Sequence, residues 1–309
     1  MKPFVLVDNS STLQEMIEEL RQARHIALDT ESNSFFAYFE KVCLIQISTP
    51  DNDYIIDSIV FKDLQPLGEV LANPDIEKIL HAASNDIIGL RRDFNFHCRN
   101  LFDTAIACKL LGYQQLGLAN IMQEHFGVQL NKKWQRCDWG RRPLQQQQLD
   151  YARLDTHYLI PLRHLLAAGL EAQELWDKAR EACDKLCEQT QSERPFHPDG
   201  FIHIKGARSL DAAGKKVLRA LYIYRDREAQ RKDRAPFRIL SNEILLRLAR
   251  NRPNSFGEFS KTKGLPQPYK TGRKAQGLLE IIHRYEVNAN ALDAVVAGDN
   301  SAGREQESE

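Results

Sequence analysis

Along the first half of the chain, short apolar runs alternate with stretches whose apolar residues recur every three to four positions. His25–Glu31, Val42–Ile47, Tyr54–Ile56 and Lys78–His81 have the length and β-branched content of strands. Asn52 and Asp53 mark a turn between the second and third runs. Phe61–Leu71 reads as a helix, so two close strands, a helix and a further strand predict an α/β fold, a mixed sheet with helices. From about Asp86 the pattern turns mostly helical. Asp103–Leu111, Leu118–His125 and Leu144–Leu166 carry apolar residues at helical spacing, and 167–190 continue as a polar helix or connector.

Gln191–Gly200 (QSERPFHPDG), with two prolines and a glycine, is the expected linker. Residues 207–290 read as all-helical, with Val217, Leu218, Leu221, Tyr222 and Arg225 on one face. Ser241 or Asn242 is placed to cap a helix over Glu243–Asn251, which stops before Pro253. The tail over 291–309 is expected to be disordered. The organisation predicted is an α/β domain over 1–170, a helical connector and linker over 171–206, a helical domain over 207–290, and the tail.

Composition adds exclusions. The chain has 309 residues, 42% hydrophobic and 27% charged, as in ordinary globular proteins. No run of eighteen apolar residues is found, so no membrane partner is expected. The first residues lack the basic-then-apolar layout of a secretory signal, and a cytoplasmic protein is expected. The six cysteines form no CxxC pair. Cys183 and Cys187 stand four apart on a predicted helix without a second pair to complete a zinc site, and reduced thiols are the reading that follows. The net charge of zero conceals an uneven spread: residues 201–290 hold 20 Lys and Arg against 8 Asp and Glu, whereas residues 1–200 hold 21 against 29. A basic module beside an acidic one suits a polyanion tether next to a cation-binding site, although a solvated helical surface accounts for the charge equally well.

Leu28-Asp29-Thr30-Glu31 ends the first predicted strand. Strand alternation turns Asp29 and Glu31 to one face and Leu28 and Thr30 to the other. Two carboxylates on one sheet face favour a hard cation such as Mg²⁺ or Mn²⁺, and an exposed sheet edge fits them as well. Asp86 follows another strand, at the loop into the next helix, where an N-cap is the ordinary role. His81 reads as a hydrogen-bonded structural histidine. Tyr151 and Asp155 stand at i and i+4 on a predicted helix, side by side, with Asp150 turned toward solvent.

The order DxE, Asp, YxxxD resembles the DEDDy exonuclease superfamily. Asn100–Thr104 (NLFDT), Cys137–Leu144 (CDWGRRPL) and Tyr151–Leu159 (YARLDTHYL) look like the ribonuclease D family and the related exonuclease subunit of the eukaryotic exosome. The likeness covers residues 1 to about 165, and 207–290 look like an HRDC domain. Bacterial ribonuclease D typically carries two such modules, and this chain has room for one. The resemblance implies a ribonuclease-H-like fold and 3′→5′ hydrolysis of RNA to nucleoside 5′-monophosphates. It implies two divalent metal ions, Mg²⁺ or Mn²⁺, held by Asp29, Glu31, Asp86 and Asp155, with Tyr151 orienting the attacking water. The family's other branch has a histidine five residues before the last aspartate; here that position is Asp150. Lys132 and Thr30 are the implied substrate contacts, and Arg142 is expected to hold local structure. Phe35, Phe36, Tyr38 and Phe39 could stack terminal bases or serve a core. The implied partner is RNA with a free 3′ end, tRNA precursors included, with no nucleotide cofactor. Two rival readings are a DNA 3′→5′ exonuclease and a non-catalytic RNA-binding protein on a decayed nuclease fold.

Overall fold

The computed structural model describes residues 2–131, 133–189 and 196–285. Two units divide the chain: Met1–Phe35 with Glu40–Ser192, and Phe36–Phe39 with Glu193–Glu309. Lys132 and the tail over 291–309 lie outside the described residues.

The first unit holds a six-stranded mixed sheet. Its strands are β1 (Val5–Val7), β2 (His25–Ser32), β3 (Val42–Ser48), β4 (Asp53–Ile56), β5 (Glu77–Leu80) and β6 (Leu101–Asp103), in the order β1-β4-β3-β2-β5-β6. β2 runs antiparallel to β3 and parallel to β5. The ladder to β5 ends at Ala27, while that to β3 continues to Ser32. Asp29 and Glu31 therefore stand beyond the last β5 pairing, where the carboxyl ends of two parallel strands open a crevice.

Strand alternation divides the core. On one face, Ile26, Leu28, Ile45 and Ile47 pack with α1 (Ser10–Gln22), α2 (Gln65–Ala72) and α3 (Ser84–Phe94). On the other, Ala27, Ile79 and Phe102 meet α4 (Thr104–Leu110), α5 (Leu118–Phe126) and α7 (Leu159–Ala172). Cys43, Leu44 and Ile55 meet Ala152 of α6 (Gln146–His157) on that same side, together with Trp139 from the segment before that helix. The stretch expected to be a connector divides. α8 (Trp176–Cys187) buries Ala179 and Cys183 in the first unit, because its apolar face repeats at helical spacing behind β6. The predicted helix Leu144–Leu166 is two helices, with Tyr158 between α6 and α7.

The second unit is helical. α9 (Ala212–Lys232) and α11 (Asn242–Asn251) cross on a core of Val217, Leu218, Leu221, Leu245 and Leu248. α10 (Pro236–Ile239) and α12 (Phe256–Ser260) are short, and 272–285 form the last described helical stretch. Ser241 caps α11, its Oγ accepting from the Ile244 amide. No described helix is long and apolar enough to cross a membrane.

Candidate active site

A cleft of about 710 Å³ lies over the carboxyl end of β2, lined by Asp29, Thr30, Glu31, Asp86, Tyr151 and Asp155. Asp29, Glu31 and Asp155 each offer a carboxylate oxygen, all within 4.8 Å of one another. Asp86 lines the same cleft. It sits inside the first turn of α3, not in the preceding loop as expected from the sequence. Its Oδ1 accepts from the Thr30 amide (3.0 Å) and the Thr30 hydroxyl (2.5 Å). Thr30, an expected substrate contact, thus commits its hydroxyl proton to Asp86.

The electrostatics follow from crowding like charges where water is scarce. Burial first, and then Asp86, Asp155 and Glu31, hold the Asp29 carboxyl well above the usual range. Burial and then Asp155 and Asp86 do the same to Glu31. Burial raises Asp86 to about 6 against the two Thr30 hydrogen bonds, and raises Asp155 to about 7 against the Tyr151 hydrogen bond. The Tyr151 phenol is pushed far up by burial and then by Asp155, Glu31 and Asp29, so it stays a hydroxyl. Four carboxylates that resist sharing one space, with only oxygen donors, match hard divalent cations such as Mg²⁺ or Mn²⁺.

The flanking motifs have structural work. α6 is polar on two sides: Tyr151 and Asp155 line the cleft, while Arg153, Thr156 and His157 face the sheet. Arg153 Nε donates to Asp53 Oδ2 (2.6 Å), His157 Nδ1 lies 2.9 Å from the same oxygen, and Ser48 Oγ joins Asp53 to Thr156 at 2.7 Å each. Trp139 is buried with its ring stacked on Tyr151, centroids 6.3 Å apart. Arg142 holds Asp57 through two 2.6 Å bonds and donates to the Trp139 and Cys43 carbonyls. It braces this segment, as the sequence led us to expect. Asp103 caps α4 and also accepts from Ala82 and Ala83 in the turn that delivers α3 and Asp86. The scaffold roles of Asp103, Asp53 and Arg153 were not visible in the sequence. Asp53 read as a turn residue and Asp103 as the start of a helix, and the partners that give them their scaffold roles stand 20 to 100 residues away; a charged residue on the sheet-facing side of a helix, as at Arg153, is the signal the sequence offered.

His81 is half-buried with Nδ1 2.9 Å from Thr104 Oγ1, and Asp150 is exposed. Phe35 lines the cleft, with the Arg136 guanidinium over its ring. Phe36–Phe39 belong to the second unit, where the Tyr38 hydroxyl donates to Asp226 (3.0 Å). Lys132 falls among the residues the structure does not describe.

A mixed sheet with a carboxylate cluster at the end of β2 and a Tyr/Asp pair on a crossing helix defines a nuclease class. A 3′-5′ exonuclease family model matches residues 4–171, and an HRDC domain model matches 214–282. The chain belongs to the 3′-5′ exonuclease family, of the ribonuclease D and RRP6 type, with an HRDC domain. It is 33% identical over 285 residues to the exosome complex component 10 homolog of Caenorhabditis elegans, a match covering 91% of this chain and 32% of that protein. It spans 29–32% of the length of the first curated relatives it matches. The catalytic core of RRP6 from Trypanosoma brucei superimposes with a TM-score of 0.83 at 27% identity, over 93% of this chain and 80% of that one. Escherichia coli RNase D, an exoribonuclease involved in structured RNA processing, gives 0.70 at 28% identity, over 92% and 76%.

Proposed function

We propose that this protein is a 3′→5′ exoribonuclease that releases nucleoside 5′-monophosphates from RNA with a free 3′ end. The observation that carries the reading is the grouping of Asp29, Glu31 and Asp155 beside Asp86 and Tyr151 in one open cleft. Two divalent ions held by these carboxylates would supply a hydroxide nucleophile and charge stabilisation at the leaving 3′ oxygen. The chain's own groups do the rest. Asp86, fixed by Thr30, and Asp155, bonded to Tyr151, present their oxygens in set directions. Tyr151 keeps its proton and orients the attacking water. The excess of basic residues over 201–290 holds the RNA behind its 3′ end. The likeness to RNase D supports trimming of tRNA and other stable-RNA precursors as the duty, and the six free thiols fit a reducing cytoplasm.

The test is incubation with 3′-labelled single-stranded RNA and matched DNA, with Mg²⁺, Mn²⁺ or EDTA. Metal-dependent release of labelled mononucleotide from RNA is expected. Preference for DNA would make the protein a DNA exonuclease, and binding without cleavage in any metal would make it an RNA-binding protein.

A further inference from the structure

Gln46 lies in the middle of β3 and is fully buried. Neither its amide nitrogen nor its amide oxygen has a hydrogen-bond partner. Among the described residues, the other buried side-chain polar atoms in that condition are Trp139 Nε1 and Arg225 Nε. A buried carboxamide with both groups unsatisfied works against folding, since an apolar side chain of the same shape would suit the position better. Such a group calls for another explanation.

Its register supplies one. Gln46 is the direct cross-strand partner of Asp29, and such partners project from the same face with Cβ atoms about 5 Å apart. That face is the one α6 covers. Leu44, two residues before Gln46, packs there with Trp139 and Ala152, and Ser48, two residues after, bonds Thr156. Gln46 therefore stands opposite Asp29 on the face covered by the helix that carries Tyr151 and Asp155, with no hydrogen bond between the two. Carboxylates that must be ionised to hold a cation gain from a neutral N–H donor next to them, and a fixed partner sets the direction of their oxygens.

We propose that Gln46 is a positioning residue of the carboxylate site, its unpaired amide standing opposite Asp29 as the donor available to that carboxylate when it holds a divalent cation. The inference rests on the metal site proposed above. Gln46→Met keeps the side chain's length and removes its polarity. Titrated with Mn²⁺ by calorimetry, this variant should bind about 10- to 100-fold more weakly than the unmodified protein. Its melting temperature in EDTA should be no lower, and kcat at limiting metal should fall while KM for RNA holds. A lower melting temperature with unchanged Mn²⁺ affinity would make Gln46 a packing residue and overturn the proposal. Asp29→Asn is the control. If it leaves Mn²⁺ binding intact, the metal site itself is wrong; if it removes binding while Gln46→Met does not, only the role of Gln46 falls. The unmodified protein offers a second measurement, independent of how the variant folds. The side-chain ¹⁵NH₂ pair of Gln46 should shift as Mg²⁺ is added, and an unmoved pair would overturn the proposal.

Discussion

Replacing Asp53 with Asn should loosen the helix that carries half of the site. Asp53 on β4 and Arg153 on α6 are both nearly inaccessible, with side chains 6% and 9% exposed, and they meet at 2.6 Å. Removing the charge leaves a buried guanidinium without its counter-ion, at a cost of about 3–5 kcal/mol. For a unit of this size each kcal/mol is worth about 2–4 °C, so the melting temperature should fall on the order of 10 °C. Tyr151 and Asp155 ride on the same helix, and misplacing a positioned group by an ångström costs about 10²-fold in rate. Turnover should therefore fall steeply even at temperatures where the variant stays folded. Asp53→Leu combined with Arg153→Met should recover most of the stability, because an apolar pair of similar volume avoids the desolvation penalty. The pH dependence follows with its sign. Burial pushes the Asp53 carboxyl up, but the hydrogen bonds from Ser48, His157 and Arg153 outweigh it and leave it below its usual value. Its contribution is thus complete above about pH 4, the unfolded carboxyl's range, and is lost as pH falls through the lower folded value. Thermal melts of the three proteins between pH 3 and 7, with steady-state turnover, make the measurement. An Asp53→Asn variant that melts and turns over like the parent would refute this reasoning.

The protein should be inactive in EDTA and recover with Mg²⁺ or Mn²⁺, and Asp29→Asn or Asp155→Asn should remove nearly all hydrolysis; full activity in EDTA would end the metal reading. Tyr151→Phe should lower turnover by about 10²-fold or more with little change in metal affinity by calorimetry, and lost metal binding would count against water positioning. Without metal, the raised carboxyls of the cleft favour the folded state while protonated, so stability should decline as pH rises from about 4 toward the folded values near 6 and 7 of Asp86 and Asp155. Added Mg²⁺ should cancel that decline in thermal melts, and a flat metal-free profile would contradict the crowding described above. Removing residues 193–309 should flatten the log–log salt dependence of long-RNA binding by about two to three units if three or four phosphates are held there. An unchanged slope would leave that domain a stabilising role only.

The strands bearing Asp29 and Gln46 were legible in the sequence because their apolar runs are long and bounded by turn residues. β1 and β6 were not read, since three-residue edge strands leave no periodicity to detect. The five residues of the cleft could be named only because their order resembles that of the DEDDy exonucleases; taken singly each had an ordinary structural reading, and Asp86 was placed in a loop. Its helix begins two residues earlier because Asp103, far along the chain, holds the turn before it. A separation of 100 residues hid the Asp53–Arg153 pair. α8 was read as a polar helix or connector, and its packing on the first unit was not read, because the two small residues it buries carry little signal.

The bond from Thr30 to Asp86 bears on how inactive variants are to be chosen. Past Ala27, β2 has lost its β5 neighbour, and the Thr30 N–H is taken up by a side chain instead of a strand. Asp86 is thus a stitch in the sheet as well as a carboxylate of the cleft. An alanine there would remove charge and acceptor together, leaving the end of β2 with an unanswered amide. Asparagine keeps an oxygen for that amide and deletes only the charge. A dead Asp86→Ala enzyme would therefore report two injuries at once, and the Asn variant is the one whose loss of activity speaks for the chemistry alone.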